Sequence, residues 1–92
     1  MKKLMKWLTE HNIDFYIVKR NFIDYIVIML EPGCIWINGF GEPMKYDKKI
    51  MIYKNTYNEY VVNEVIGYNQ VAKLIQCSKV SNAINILDKR LL

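Results

Sequence analysis

The chain has little of what catalysis and metal binding draw on. Histidine occurs once, as His11, proline twice, as Pro32 and Pro43, and cysteine twice, as Cys34 and Cys77. One histidine cannot form a histidine metal pair or a relay, and Glu10 and His11, being adjacent, fall on different faces of a helix. The cysteines are far apart and make no CxxC, which argues against a zinc site and gives little basis for a disulfide. They read as buried free thiols, Cys34 on a strand and Cys77 on a helix. No nucleophile elbow, P-loop or dinucleotide fingerprint is present. Gly39-Phe40-Gly41 is a GxG, but it is followed by Met44 rather than a further glycine and opens no helix, so it reads as a loop. The carboxylates are scattered. Asp14 and Asp24 would meet across the first two strands, with no third group to complete a site. These absences predict a protein that is not an enzyme and holds no metal or cofactor.

Long apolar runs are also missing. The strongest is broken by Asp24 and by Glu31-Pro32-Gly33, so no segment reaches the length of a membrane span. The start, Met1-Lys2-Lys3, leads into an amphipathic segment without the apolar core of a signal peptide. The expected compartment is the cytoplasm, with no membrane partner. Acidic residues are fewer than basic ones, nine against thirteen, for a net charge of +4 and a pI near 9.1. That is mildly basic, short of the dense cationic make-up of a strong nucleic-acid binder.

What is there is apolar, aromatic and rich in strand formers. Hydrophobic residues make up 52% of the 92 positions, enough for one core and against disorder. Ninety-two residues make a single domain, 1–92. The densest stretch runs from Ile23 to Ile37 and reads as two strands joined at Pro32-Gly33. Pairing Glu31 with Cys34 sets Leu30 opposite Ile35 and Met29 opposite Trp36. Alternation then gives one aliphatic face of Ile26, Ile28, Leu30, Ile35 and Ile37, and a second face of Tyr25, Val27, Met29, Cys34 and Trp36. A sheet with one wet face should alternate apolar with polar, and this one does not.

Elsewhere, Lys2 to His11 reads as a helix, with Leu4, Trp7, Leu8 and His11 on one side and Lys2, Lys3 and Lys6 on the other. Asn12 suits its C-terminal stop. Ile13 to Lys19 reads as the first strand, Asn38 to Pro43 as a loop, Lys48 to Lys54 as a fourth strand and Tyr57 to Val65 as a fifth. Gly67 breaks the pattern, and a helix is predicted from about Asn69, with Val71, Leu74 and Ile75 inward. Ser81 is placed to cap a last helix, with Ile84, Leu87 and Leu91 inward and Lys89-Arg90 near its C-terminus. The predicted fold is α+β: an antiparallel meander of about five strands with one N-terminal and two C-terminal helices.

Two surfaces are candidates for binding. The second sheet face gathers Trp36, Tyr25, Met29, Met51 and Tyr53, residue types enriched at the centres of protein interfaces. On this reading Trp36 anchors a protein partner or a second copy of the chain. The alternative is the segment 45–54, where Lys45, Tyr46, Lys48, Lys49 and Lys54 interleave cations with aromatics; lysines neutralise phosphate and tyrosines stack on unpaired bases. It reads as a weak, non-specific nucleic-acid surface at most. The order helix, strands, helix is similar to a double-stranded-RNA-binding domain in topology only, because Asn69-Gln70-Val71-Ala72 stands where that family carries a basic cluster.

Ile, Lys, Asn and Tyr supply 40 of the 92 residues, a usage whose codons are AT-rich. With the short length, a start helix leading into a tyrosine-rich meander and the segment Tyr68-Asn69-Gln70-Val71, the chain resembles, in style rather than by motif, the small accessory proteins of Gram-positive phages and prophages, anti-CRISPR proteins among them. That resemblance implies a non-enzymatic inhibitor that binds a host protein, or a host protein–nucleic acid complex, as a stoichiometric blocker.

Overall fold

Strand-forming residues fill the middle of the chain, and the computed structural model, which describes all 92 residues, closes them into one sheet. Helix α1 (Lys2–Glu10) is followed by strands β1 (Tyr16–Arg20), β2 (Ile23–Ile37), β3 (Pro43–Lys54), β4 (Tyr60–Gly67) and β5 (Gln70–Cys77), and then by helix α2 (Val80–Leu91). Each strand pairs antiparallel with its chain neighbours, in the order β1-β2-β3-β4-β5. The α+β meander is therefore as expected, with two helices in place of three.

The missing helix is β5. Residues 70–77 pair with β4 along their length. Between Val62↔Ile75 and Asn63↔Lys73 the register slips, leaving Leu74 as an extra residue on β5. A bulge turns two successive side chains the same way, and Leu74 and Ile75 both pack against the core. That pair, three and four residues after Val71, imitates helical spacing. Val71 itself points away and is exposed.

The central hairpin is corrected too. β2 runs straight through Pro32-Gly33. Its pairing with β3 shifts between Met29 and Glu31 and again between Glu31 and Cys34, each time leaving one extra residue on β2. Gly33 takes φ +69, a conformation that suits glycine, and its N–H donates to Asp47 Oδ1 at 3.0 Å. Proline tolerates this place because an edge or bulge asks for no ladder N–H. With no reversal at 32–33 and two one-residue bulges that offset each other, the even-numbered residues before and after the bulged stretch share one side, joined there by Glu31. Cys34 pairs with Tyr46 and Trp36 with Met44, on the side of Ile50 and Ile52, while Ile35 and Ile37 fall on the other, 55% and 59% exposed. Ile26 and Ile28 are core as expected; Ile35 and Ile37 are not.

The chain reverses instead at Asn38–Glu42, and does so again in the same way at Asn55–Glu59. In each loop an asparagine Oδ1 accepts two backbone N–H groups, from Phe40 and Glu42 in the first and from Tyr57 and Glu59 in the second. The fourth residue is left-handed, Gly41 at φ +77 and Asn58 at φ +60. Asn-x-aromatic-Gly/Asn-Glu is thus one turn used twice, with Phe40 and Tyr57 at the exposed tips.

Both helices lie on one face. Leu4 and Leu8 of α1 and Ala83 and Leu87 of α2 bury against Ile26, Ile28, Ile50, Ile52, Tyr60 and Val62. α1 ends as expected, with the His11 N–H donating to Trp7 O and Asn12 left-handed at φ +56. β1 begins three residues later than expected, at Tyr16, and Ile13 and Phe15 reach the core from the connection before it. α2 begins at Val80, so Ser81 sits inside it and caps nothing. Arg90 leaves the helix end for Glu64, donating from Nε to Oε1 at 2.6 Å and from Nη2 to Oε2 at 3.1 Å. This bidentate pair holds α2 to β4. The helices are short, and none is long and apolar enough to cross a membrane.

Candidate binding face

The second face of the sheet has no helix on it. Its residues follow from the registers. Tyr16 pairs with Val27 and Val18 with Tyr25 across β1 and β2; Tyr25 continues the row to Tyr53 and Val61. The next rows run Val27, Met51, Asn63, Lys73 and Met29, Lys49, Val65, Val71. Tyr25 and Tyr53 rest against each other in a tilted aromatic contact, ring centroids 5.1 Å apart at 50°. Val27 and Val61 are buried even though no helix covers them, because bulky neighbours in the same sheet flank them. Around them Tyr25, Met51 and Tyr53 are half-buried and Tyr16 and Met29 are exposed.

Four of the five candidate partner residues, Tyr25, Met29, Met51 and Tyr53, therefore lie together. Trp36 does not join them. By register it is on the helix side of the arm formed by the far ends of β2 and β3, and its ring covers Gly67. A Cβ added at Gly67 would stand 2.7 Å from Trp36 Cε3, so the absence of a side chain there is what lets the indole settle. The grouping of Trp36 with Tyr25 rested on a two-residue turn at Pro32-Gly33; two bulges take the place of that turn and reverse the side on which Trp36 emerges.

The lysine and tyrosine segment is divided by its own strand. Lys45 and Lys49 lie on the helix-free face, and Tyr46, Lys48 and Lys54 on the other. Lys54 Nζ sits 4.9 Å from the centre of the Tyr60 ring, a cation–π contact within the fold. Tyr46 has its phenol pKa pushed up by partial burial, then by Cys34 beside it and by Glu31. Cys34 Sγ donates to the Glu31 carbonyl.

Charge is distributed unevenly. Among strand residues the helix-free face carries Arg20, Lys45, Lys49 and Lys73 against one carboxylate, Asp47. Asp47 already accepts from Gly33. Glu59 reaches the rim, where Asn55 and Gln76 donate to it; these bonds hold its pKa below the usual carboxylate range, and Lys73 adds to the shift. On the other face Lys19 stands opposite Asp24 and Lys48 opposite Glu31, Arg90 of α2 pairs with Glu64, and Lys54 lies over Tyr60.

Elsewhere the molecule offers little chemistry. A shallow depression of about 300 Å³ at the α1–β1 corner is lined by Thr9, Asn12, Ile13, Asp14 and Phe15, with one carboxylate and no base beside a nucleophile. His11 is tied up by the Trp7 carbonyl, 2.8 Å from Nδ1. No three His, Cys, Asp or Glu side chains cluster closely enough to hold a metal ion. Asp14 and Asp24 do not meet, since Asp14 precedes β1 and Asp24 pairs with Lys19. The paired loops and the uneven charge were missed in sequence; the repeated Asn-x-aromatic-x-Glu was the available signal for the first, whereas the second needs the register. No protein-family model, no curated protein and no solved structure matches the chain.

Proposed function

We propose that this chain is a small non-enzymatic binding module that docks onto another protein through the helix-free face of its sheet and acts by occupying that protein's surface. The observation that carries the reading is the open array of Tyr16, Tyr25, Met29, Met51 and Tyr53 over Val27 and Val61, a tyrosine- and methionine-rich patch on the side away from both helices. Such side chains give large contact area with little loss of freedom on binding, and their clustering marks interface centres. The resemblance to phage and prophage accessory proteins supplies the setting: the partner is a protein of a Gram-positive host, and the module is its blocker. Division of the lysines between two faces leaves the nucleic-acid alternative with less support.

The test uses tagged wild type and Met29→Glu in host lysate with and without nuclease treatment. Met29 is exposed, so the substitution should change stability by no more than about 0.5 kcal/mol. A protein captured by wild type and lost with Met29→Glu is the expected result. Identical capture by both would remove the face from the mechanism, and capture abolished by nuclease alone would favour the nucleic-acid reading.

A further inference from the structure

Resting on that reading, we infer that the surface recognised by the helix-free face is apolar at its centre and carboxylate-bearing at its rim, and is not a second copy of this chain. Charge is the first argument. Arg20, Lys45, Lys49 and Lys73 surround the Tyr and Met patch and outnumber the two carboxylates near it, Asp47, which accepts from Gly33, and Glu59 at the rim, which accepts from Gln76 and Asn55. A desolvated cation rim favours opposite charge across the contact and disfavours its own kind. A twofold dimer through this face would bring two such net-positive patches together.

Strand edges supply the second argument. The edge of β2 offers no easier route, since Pro32 and two bulges interrupt it, devices that oppose strand-to-strand pairing. Against single-stranded nucleic acid stands the geometry of the aromatics. Tyr25 and Tyr53 pack on each other at 50° and are half-buried, so neither offers a free flat platform for a base.

The experiment uses the full chain with methyl-labelled methionine and two designed amphipathic peptides that share one Leu/Phe face, one flanked by glutamates and the other by lysines. The expected result is that the glutamate peptide shifts the Met29 and Met51 methyl resonances and binds at least about tenfold more tightly than the lysine peptide. Lys49→Glu/Lys73→Glu should reverse that order. Equal binding of both peptides at these methyls would overturn the inferred rim and leave the docking face standing. No shift with either peptide would overturn the inference, and if Met29→Glu also left lysate capture unchanged, the docking face would fall with it. Methyl shifts that grow with protein concentration alone would give the face to a second copy. Tight, salt-sensitive shifts with oligothymidine would give it to nucleic acid.

Discussion

The two faces of this sheet are made by the same strands and differ in kind. On the covered face Ile26, Ile28, Ile50, Ile52 and Val62 are at most 3% exposed, pressed by Leu4, Leu8, Ala83 and Leu87. These are aliphatic, mostly β-branched side chains that fill a dry layer and need no polar partner. On the open face the buried Val27 and Val61 are overlaid by tyrosine, methionine and lysine, residues whose apolar bodies lie on the sheet while a hydroxyl, a sulfur or an ammonium meets water. Apolarity on both sides therefore does not mean a core on both sides. The covered face supplies the stability, and the open one supplies a surface.

The sharpest way to break this comparison is to truncate one isoleucine on each side. Ile52→Ala removes a fully buried side chain and should cost about 2–5 kcal/mol through lost transfer energy and a residual cavity. Ile37→Ala, on the exposed arm, should stay within about 0.5 kcal/mol. Chemical denaturation of both variants decides it. Equal losses would mean that the arm folds back into a core, and the division between the faces would not hold.

How much of this was legible in sequence depended on where the backbone stays regular. Helix α1, the meander and the aliphatic core of β2 and β3 follow from periodicity, and they stand as Leu4, Leu8, Ile26, Ile28, Ile50 and Ile52. Bulges erase periodicity. The extra residues on β2 restored the alternation that a turn at Pro32-Gly33 would have inverted, and so moved Ile35, Ile37 and Trp36 to the sides opposite those expected. Leu74 on β5 made a strand look helical. Of the candidate site, Tyr25, Met29, Met51 and Tyr53 were readable because they flank regular pairing; Trp36 lies beyond the bulges and was not. The Glu64–Arg90 pair joins residues 26 positions apart and leaves no local trace.

That pair offers a second test, of what holds a helix to the covered face. Glu64 is buried, and its carboxyl pKa is lowered chiefly by the hydrogen bonds from Arg90, against a smaller opposing effect of desolvation. Because its folded pKa lies below the unfolded value of about 4.3, the pair's contribution is present in full above that value. It is lost as pH falls through the folded pKa. Arg90→Ala leaves the carboxylate buried without its partner and should cost about 1–3 kcal/mol at neutral pH. Desolvation without Arg90 raises the carboxyl pKa in the variant, so protonation relieves it early, and the gap to wild type should narrow on acidification. Urea midpoints across an acid series measure this. A gap that stays constant with pH would mean that Arg90 acts through packing of its stem.

The smallest expected effect concerns Phe22. With Asn21 at φ +49 and Phe22 at φ +65, and Arg20 paired to Ile23, the β1–β2 connection is a two-residue turn of type I′. Both central positions are left-handed, where asparagine is tolerated and glycine is preferred, while a bulky residue costs about 1–2 kcal/mol. Phe22 is fully exposed and repays none of that by burial. Phe22→Gly creates Asn-Gly, the pair this turn favours most, and gives back part of the gain through the greater freedom of glycine in the unfolded chain. The net expectation is a stabilisation of about 0.5 kcal/mol, read as a small rise in the thermal midpoint. A rise would show that apolar groups outside the covered face are not kept for folding, which is what the contrast between the faces requires. A fall would show that Phe22 makes a contact within the molecule, and the tip would then belong with the core rather than with the open surface.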